Sequence, residues 1–92
     1  MAAVRSANAE RESAQADLES ARRAEVLAAE RERSSREVQA LIANSWRLGE
    51  SDLPTRLRVE SERFEAELAH ARARLEIRRA TAKLNQANGL LP

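Results

Sequence analysis

One interruption divides an otherwise continuous helical pattern. Neither Gly nor Pro occurs before Gly49, and after Pro54 neither recurs until Gly89 and Pro92. The stretch between, Trp46-Arg47-Leu48-Gly49-Glu50-Ser51-Asp52-Leu53-Pro54, contains every element of a sharp helix-to-helix turn. Gly49 suits the left-handed residue that ends a helix. Ser51 or Asp52 supplies a side-chain oxygen to cap the next helix. Pro54 falls in a first turn, where backbone N–H groups have no intrahelical partner. The spacing predicts helix 1 over about 2–48, a turn at 49–52, helix 2 over about 53–88 and a short tail at 89–92. This is an all-α, antiparallel two-helix coiled-coil hairpin in a single 1–92 unit.

Composition agrees and excludes much else. Aromatics are limited to Trp46 and Phe64, and the apolar content is mostly Ala, Leu and Val. Ala, Glu, Arg and Leu at heptad-like spacing indicate long helices, and 92 residues is near the lower size for a self-sufficient core. Sixteen basic residues against fifteen acidic ones, interspersed along the chain, describe a solvated helix surface and lack the basic excess of a nucleic-acid-binding domain. The absence of cysteine removes thiol catalysis and thiolate metal sites. No run of about twenty apolar residues encodes a membrane span. The N-terminus has no apolar core of a signal peptide, so a role outside the cytoplasm implies that the chain is part of something longer.

A heptad stripe on helix 2 runs through Leu57, Ser61, Phe64, Leu68, Ala71, Leu75, Arg78 and Ala82. Helix 1 answers near the tip with Val38, Leu41, Ser45 and Leu48. Further back it has Ala24, Leu27, Arg31 and Ser34, and then, after a phase slip, Val4, Ala7, Ala14, Leu18 and Ala21. The expected packing seam is therefore Val38, Leu41, Leu48, Leu57, Phe64, Leu68 and Leu75. With polar residues in the seam and Ala at many apolar positions, the isolated chain is expected to be marginally stable and to self-associate. Val59, Ala66, Ala73 and Ala80 also recur every seven residues, with Ala69 nearby, roughly opposite that seam, and Ala29, Ala40 and Ala43 sit similarly behind Leu27, Val38 and Leu41 on helix 1. They are either a second packing face, as in a tube of helices, or surface alanines favoured by helix propensity. A turn centred near Glu50 and Ser51 places Asn88 beside Ser13 and leaves about the first ten residues without a partner.

The tip and the C-terminal run together resemble the outer membrane factor family, the TolC-like proteins of bacterial efflux systems. The matching residues are Trp46-Arg47-Leu48-Gly49-Glu50-Ser51, then Leu57-Arg58-Val59-Glu60, and the ending Leu84-Asn85-Gln86-Ala87-Asn88-Gly89 followed by Leu90-Leu91-Pro92. The wording is similar to relatives serving heavy-metal efflux pumps. Pro54, Thr55 and Glu50 depart from the family pattern. The resemblance implies a periplasmic hairpin of an outer-membrane protein, part of a larger, trimeric helical export tunnel, whose tip docks a periplasmic adaptor (membrane fusion) protein. The docking residues are then Arg47, Leu48, Gly49, Glu50, Ser51 and Asp52. The alternatives are an adaptor hairpin, or a generic dimerisation or scaffold coiled coil.

Chemistry is sparse. His70 is the single histidine, and sequence pairs it with no second metal donor; it is expected on the solvated side. Glu60, Glu62, Glu65, Glu67 and Glu76 stand among Arg56, Arg58, Arg63, Arg72 and Arg74, the pattern of surface ion pairs. The Arg72, Arg74, Arg78 and Arg79 cluster lacks aromatics for stacking nucleic acid. Trp46 is either a packing residue at the turn or a partner-facing anchor. No enzyme activity, cofactor or metal site is expected.

Overall fold

A computed structural model of the chain describes residues 2–89. The chain is an antiparallel helical hairpin of α1 (Ala2–Arg47) and α2 (Leu53–Ala87), with no strand among the described residues. The expected helix limits are met to within a residue. Leu90, Leu91 and Pro92, the expected end of the tail, lie outside the described residues.

Each helix ends for a local reason. Gly49 adopts φ 74°, a conformation that costs a residue with a Cβ more than it costs glycine. Its N–H donates to the Trp46 carbonyl at 3.0 Å, and the Glu50 N–H donates to the Ser45 carbonyl at 2.9 Å. These are the paired bonds of a Schellman ending, which satisfy two otherwise free carbonyls. Asp52 then caps α2: its Oδ1 accepts the Thr55 backbone N–H at 2.9 Å. At the far end Gly89 repeats the glycine ending, with φ 77° and its N–H on the Gln86 carbonyl.

The helices pair through a different face from the expected one. On α1 the covered positions are Ala14, Leu18, Ala21, Glu25, Ala28, Glu32, Ser35, Gln39 and Ile42. On α2 they are Val59, Arg63, Ala66, His70, Ala73, Ile77, Ala80, Leu84 and Ala87. Both sets step by four and three without interruption, as a coiled-coil seam requires. The phase set by Ala14, Leu18 and Ala21 thus persists to the tip, and no slip occurs. The alanines recurring every seven residues are the interior, not surface residues chosen for propensity. The expected seam is corrected accordingly: Val38, Leu41, Leu48, Leu57, Phe64, Leu68 and Leu75 are all exposed. The physical reason is that the small side chains on that face, Ala14 and Ala21 on α1 and Ala66 and Ala80 on α2, let the helices pack there. The Leu/Phe stripes of the two helices are not turned toward each other.

Two compact units divide the hairpin. In the first, residues up to Glu25 and those from Arg72 onward, Leu18, Ala21 and Ala80 form a buried cluster with Ile77 and Leu84 packed on it. Lys83 Nζ donates to Asp17 Oδ2 across this unit at 2.7 Å, which raises the lysine pKa through the hydrogen bond and the carboxylate charge. Ser6, Ala9, Glu10 and Ser13 line an open groove with Lys83, Gln86 and Ala87. In the second unit, Val26–Ala71, Val59 and Ala66 are the buried apolar residues.

Candidate partner-binding surfaces

At the tip, the turn that shapes the backbone also presents side chains. Arg47, Leu48, Gly49, Glu50 and Asp52 are exposed, whereas Ser51 is half-buried, with its hydroxyl donating to the Ile42 carbonyl at 3.4 Å. Five of the six expected docking residues therefore face outward, and Ser51 serves the turn itself. The Thr55 hydroxyl and backbone N–H hold the Asp52 carboxyl below the usual carboxylate range. Trp46 is partly covered. The Arg56 guanidinium sits 5.2 Å from its ring centroid, within cation–π range, so Trp46 ties the last turn of α1 to the first of α2.

Behind the tip, the second unit presents bulky apolar residues outward on both helices. Leu27, Val38 and Leu41 lie along α1, Leu48 just past its end, and Leu53, Leu57, Phe64 and Leu68 along α2; Leu41 is 70% and Phe64 67% exposed. The stripes flank opposite edges of the seam. Ser34 and Val38 border a groove with Val59 and Glu62 on one broad face. Phe64 borders another with Gln39, Glu60 and Glu67. These large apolar side chains are exposed rather than packed between the two helices.

The interior of the same unit is polar where the outside is greasy. Contrary to the expectation of a solvated histidine, His70 Nδ1 contacts Glu32 Oε2, and its side chain is only 13% exposed. Arg36 Nη2 donates to the other Glu32 oxygen at 2.6 Å. One heptad nearer the tip, Arg63 Nη1 donates to Gln39 Oε1 at 2.5 Å. Arg63 Nε is buried and 3.2 Å from Glu67 Oε1, close enough for an ion pair but without an aligned hydrogen bond. The placement of His70 follows from the correct phase: it shares the Ala66 and Ala73 face, not the Leu68 and Ala71 face. Glu32 and Gln39 were likewise missed. The available signal was that both sit on the α1 phase continued from Leu18.

Arg56–Glu60 and Arg79–Glu76 are pairs on one helix, each contributing about 0.2–0.5 kcal/mol. Among the described residues no group of three or more His, Asp or Glu converges as a metal site, and no helix is long and apolar enough to cross a membrane. Comparison with protein-family models, curated proteins and solved structures returned no match.

Proposed function

We propose that this chain is a periplasmic helical hairpin of a TolC-like outer membrane efflux protein. In this role it packs sideways against neighbouring helices of a trimeric export tunnel and docks a periplasmic adaptor hairpin end-on through its tip. The observation that carries this reading is the inversion of the second unit. Its seam holds Val59, Ile42 and otherwise small and polar residues, while large Leu side chains on both helices and Phe64 on α2 face outward. A hairpin meant to stand alone buries its largest apolar side chains. One that is a stave in a wall keeps them for its neighbours on either side. The tip then supplies Arg47, Leu48, Gly49, Glu50 and Asp52 to the partner, with Ser51 bracing the turn. No catalytic step, cofactor or nucleic acid enters this role.

The test uses a full-length protein carrying this hairpin. Gly49→Val strains the positive-φ turn, and Leu48→Asp places a charge on the exposed apolar residue at its edge. Both are expected to abolish efflux-dependent resistance while the protein still reaches the outer membrane as a trimer. Leu41→Asp, on the outward stripe, is expected to reduce trimer assembly itself. Full resistance in both tip variants overturns the docking role. Normal assembly with Leu41→Asp overturns the stave role.

A further inference from the structure

Two stripes of side chains run outside the seam of the second unit. On α1 the stripe is Ser34, Val38, Leu41 and Ser45; on α2 it is Leu57, Ser61, Phe64 and Leu68. Serine interrupts both, yet both keep the alternating steps of four and three that a coiled-coil seam requires. Residues level with each other across an antiparallel pair have numbers of constant sum, fixed here by Glu32 with His70 and Gln39 with Arg63. By that sum Val38 is level with Phe64, Leu41 with Ser61 and Ser34 with Leu68. Ser45 and Leu57 continue the series. Each serine of one stripe thus stands level with a leucine of the other. Within one chain this match is unused. Val38 borders the groove that holds Ser34, Val59 and Glu62, whereas Phe64 borders a groove on the opposite face with Gln39 and Glu67. Two hairpins standing side by side in the same orientation do use it. They set α1 of one antiparallel to α2 of the next, so that residues at equal levels face each other. Leucines then enter the spaces left by serines, as knobs enter holes.

We propose that a second copy of this chain covers each outer stripe, the α1 stripe of one hairpin packing without stagger on the α2 stripe of the next, with Phe64 seated against Val38. The surface involved is sufficient. The seven large apolar residues of the two stripes and the adjoining tip, Leu48 and Leu53 included, are 41–70% exposed. At about 200 Å² for such a residue when fully exposed, the contact covers about 800 Å² of apolar surface. With a polar rim of roughly a third of the whole, the total reaches about 1,200 Å², the lower end for specific, stable interfaces. Because the two stripes are different surfaces, the contact is heterologous. A dimer keeps one uncovered stripe at each end, so assembly continues into a closed ring or an open row. This association is a property of the hairpin alone and stands apart from any place in an export tunnel.

Sedimentation of the complete 92-residue chain tests the contact, with circular dichroism as the check on helicity. The wild type is expected to form species larger than a dimer as concentration rises. Phe64→Asp and Val38→Asp each place a charge in the contact and are expected to weaken association roughly tenfold or more. Both positions are exposed, so both variants should stay helical. Mixed in equal amounts, the two are expected to form a 1:1 dimer that grows no further. Phe64 of the Val38→Asp chain can still meet Val38 of the Phe64→Asp chain, and the other stripes are blocked. Val26→Asp changes a residue that is 54% exposed but on neither stripe, and it should associate as the wild type does. The chain has no cysteine, so disulfide trapping reads the same contact without added charge. Ser34→Cys mixed with Leu68→Cys should give chiefly the 34–68 product. A wild type that stays monomeric overturns the copy-to-copy contact, as does a mixture of the two Asp variants that stays monomeric. Association lost in only one Asp variant, or disulfide products that are only 34–34 and 68–68, indicates a stripe paired with itself and overturns the heterologous arrangement.

Discussion

Leu18 and Leu41 are chemically identical residues in the interior of one helix, and the hairpin puts them to opposite uses. Leu18 is 7% exposed against Ala21, Ala80, Ile77 and Leu84, whereas Leu41 is 70% exposed. Leu18→Ala removes nearly a whole buried side chain and leaves a space that two alanines cannot close, at a cost of about 2–4 kcal/mol. Leu41→Ala removes a side chain less than a third covered. Scaling a burial value of about 2 kcal/mol by that fraction gives about 0.6 kcal/mol, and the better helix propensity of alanine offsets about 0.2 kcal/mol. At about 4–8 °C per kcal/mol for a domain of this size, Leu18→Ala lowers Tm by about 8–30 °C and Leu41→Ala by about 2–3 °C. Thermal circular dichroism at concentrations where the chain is monomeric by sedimentation measures both. The Leu41→Ala cost should grow as concentration rises and outward faces associate, since mass action then stabilises the native form. Equal costs for the two variants in dilute monomer would refute the assignment of seam and outer face.

Ala66 is fully buried, so Ala66→Leu is expected to force the helices apart and destabilise the chain by about 1–3 kcal/mol; urea unfolding that shows stabilisation contradicts the close alanine packing. The Asp52 cap carries a pH signature. Because the folded pKa lies below 3.8, its stabilisation is fully present above that value and is lost as pH falls through the folded pKa. The wild type should therefore lose more stability on acidification than Asp52→Ala does. Parallel Tm-against-pH curves for the two proteins would show that Asp52 does not cap α2.

The hairpin itself was legible because its determinants are local. Gly49, Asp52 and Pro54 act within a turn of their own positions, and the absence of other breakers leaves the flanking chain helical. The pairing face was not legible in the same way. Periodicity marks which residues share a side of a helix, but both helices carry two periodic stripes, and size alone favours the Leu/Phe one. The choice depends on how closely two backbones approach, a property of both helices together. Alanines every seven residues on α2 acquire meaning only when α1 offers Ala14, Ala21 and Ala28 at the same pitch. The polar pairs inherit this ambiguity: His70 appears solvated beside Leu68 and interior beside Ala66 and Ala73. Of the tip, exposure was legible and the inward role of Ser51 was not, because its partner is a carbonyl nine residues back.

The inverted second unit also explains why its polar interior is tolerable. Burying a charged pair against aliphatic neighbours generally stabilises less than replacing it by well-packed apolar residues, whereas removing one partner leaves an uncompensated charge. Glu32 pairs with His70 and Gln39 with Arg63 across the seam, and Arg36 reaches Glu32 from the same helix, so these half-buried groups avoid the second cost while accepting part of the first. In return the large apolar side chains remain outside, with Leu41 and Phe64 each about two-thirds exposed or more. The outward stripes and the polar seam are therefore two consequences of one distribution of residues. Moving the Leu and Phe side chains into the seam would strengthen the isolated hairpin and, on the proposed stave role, remove the surfaces that role requires.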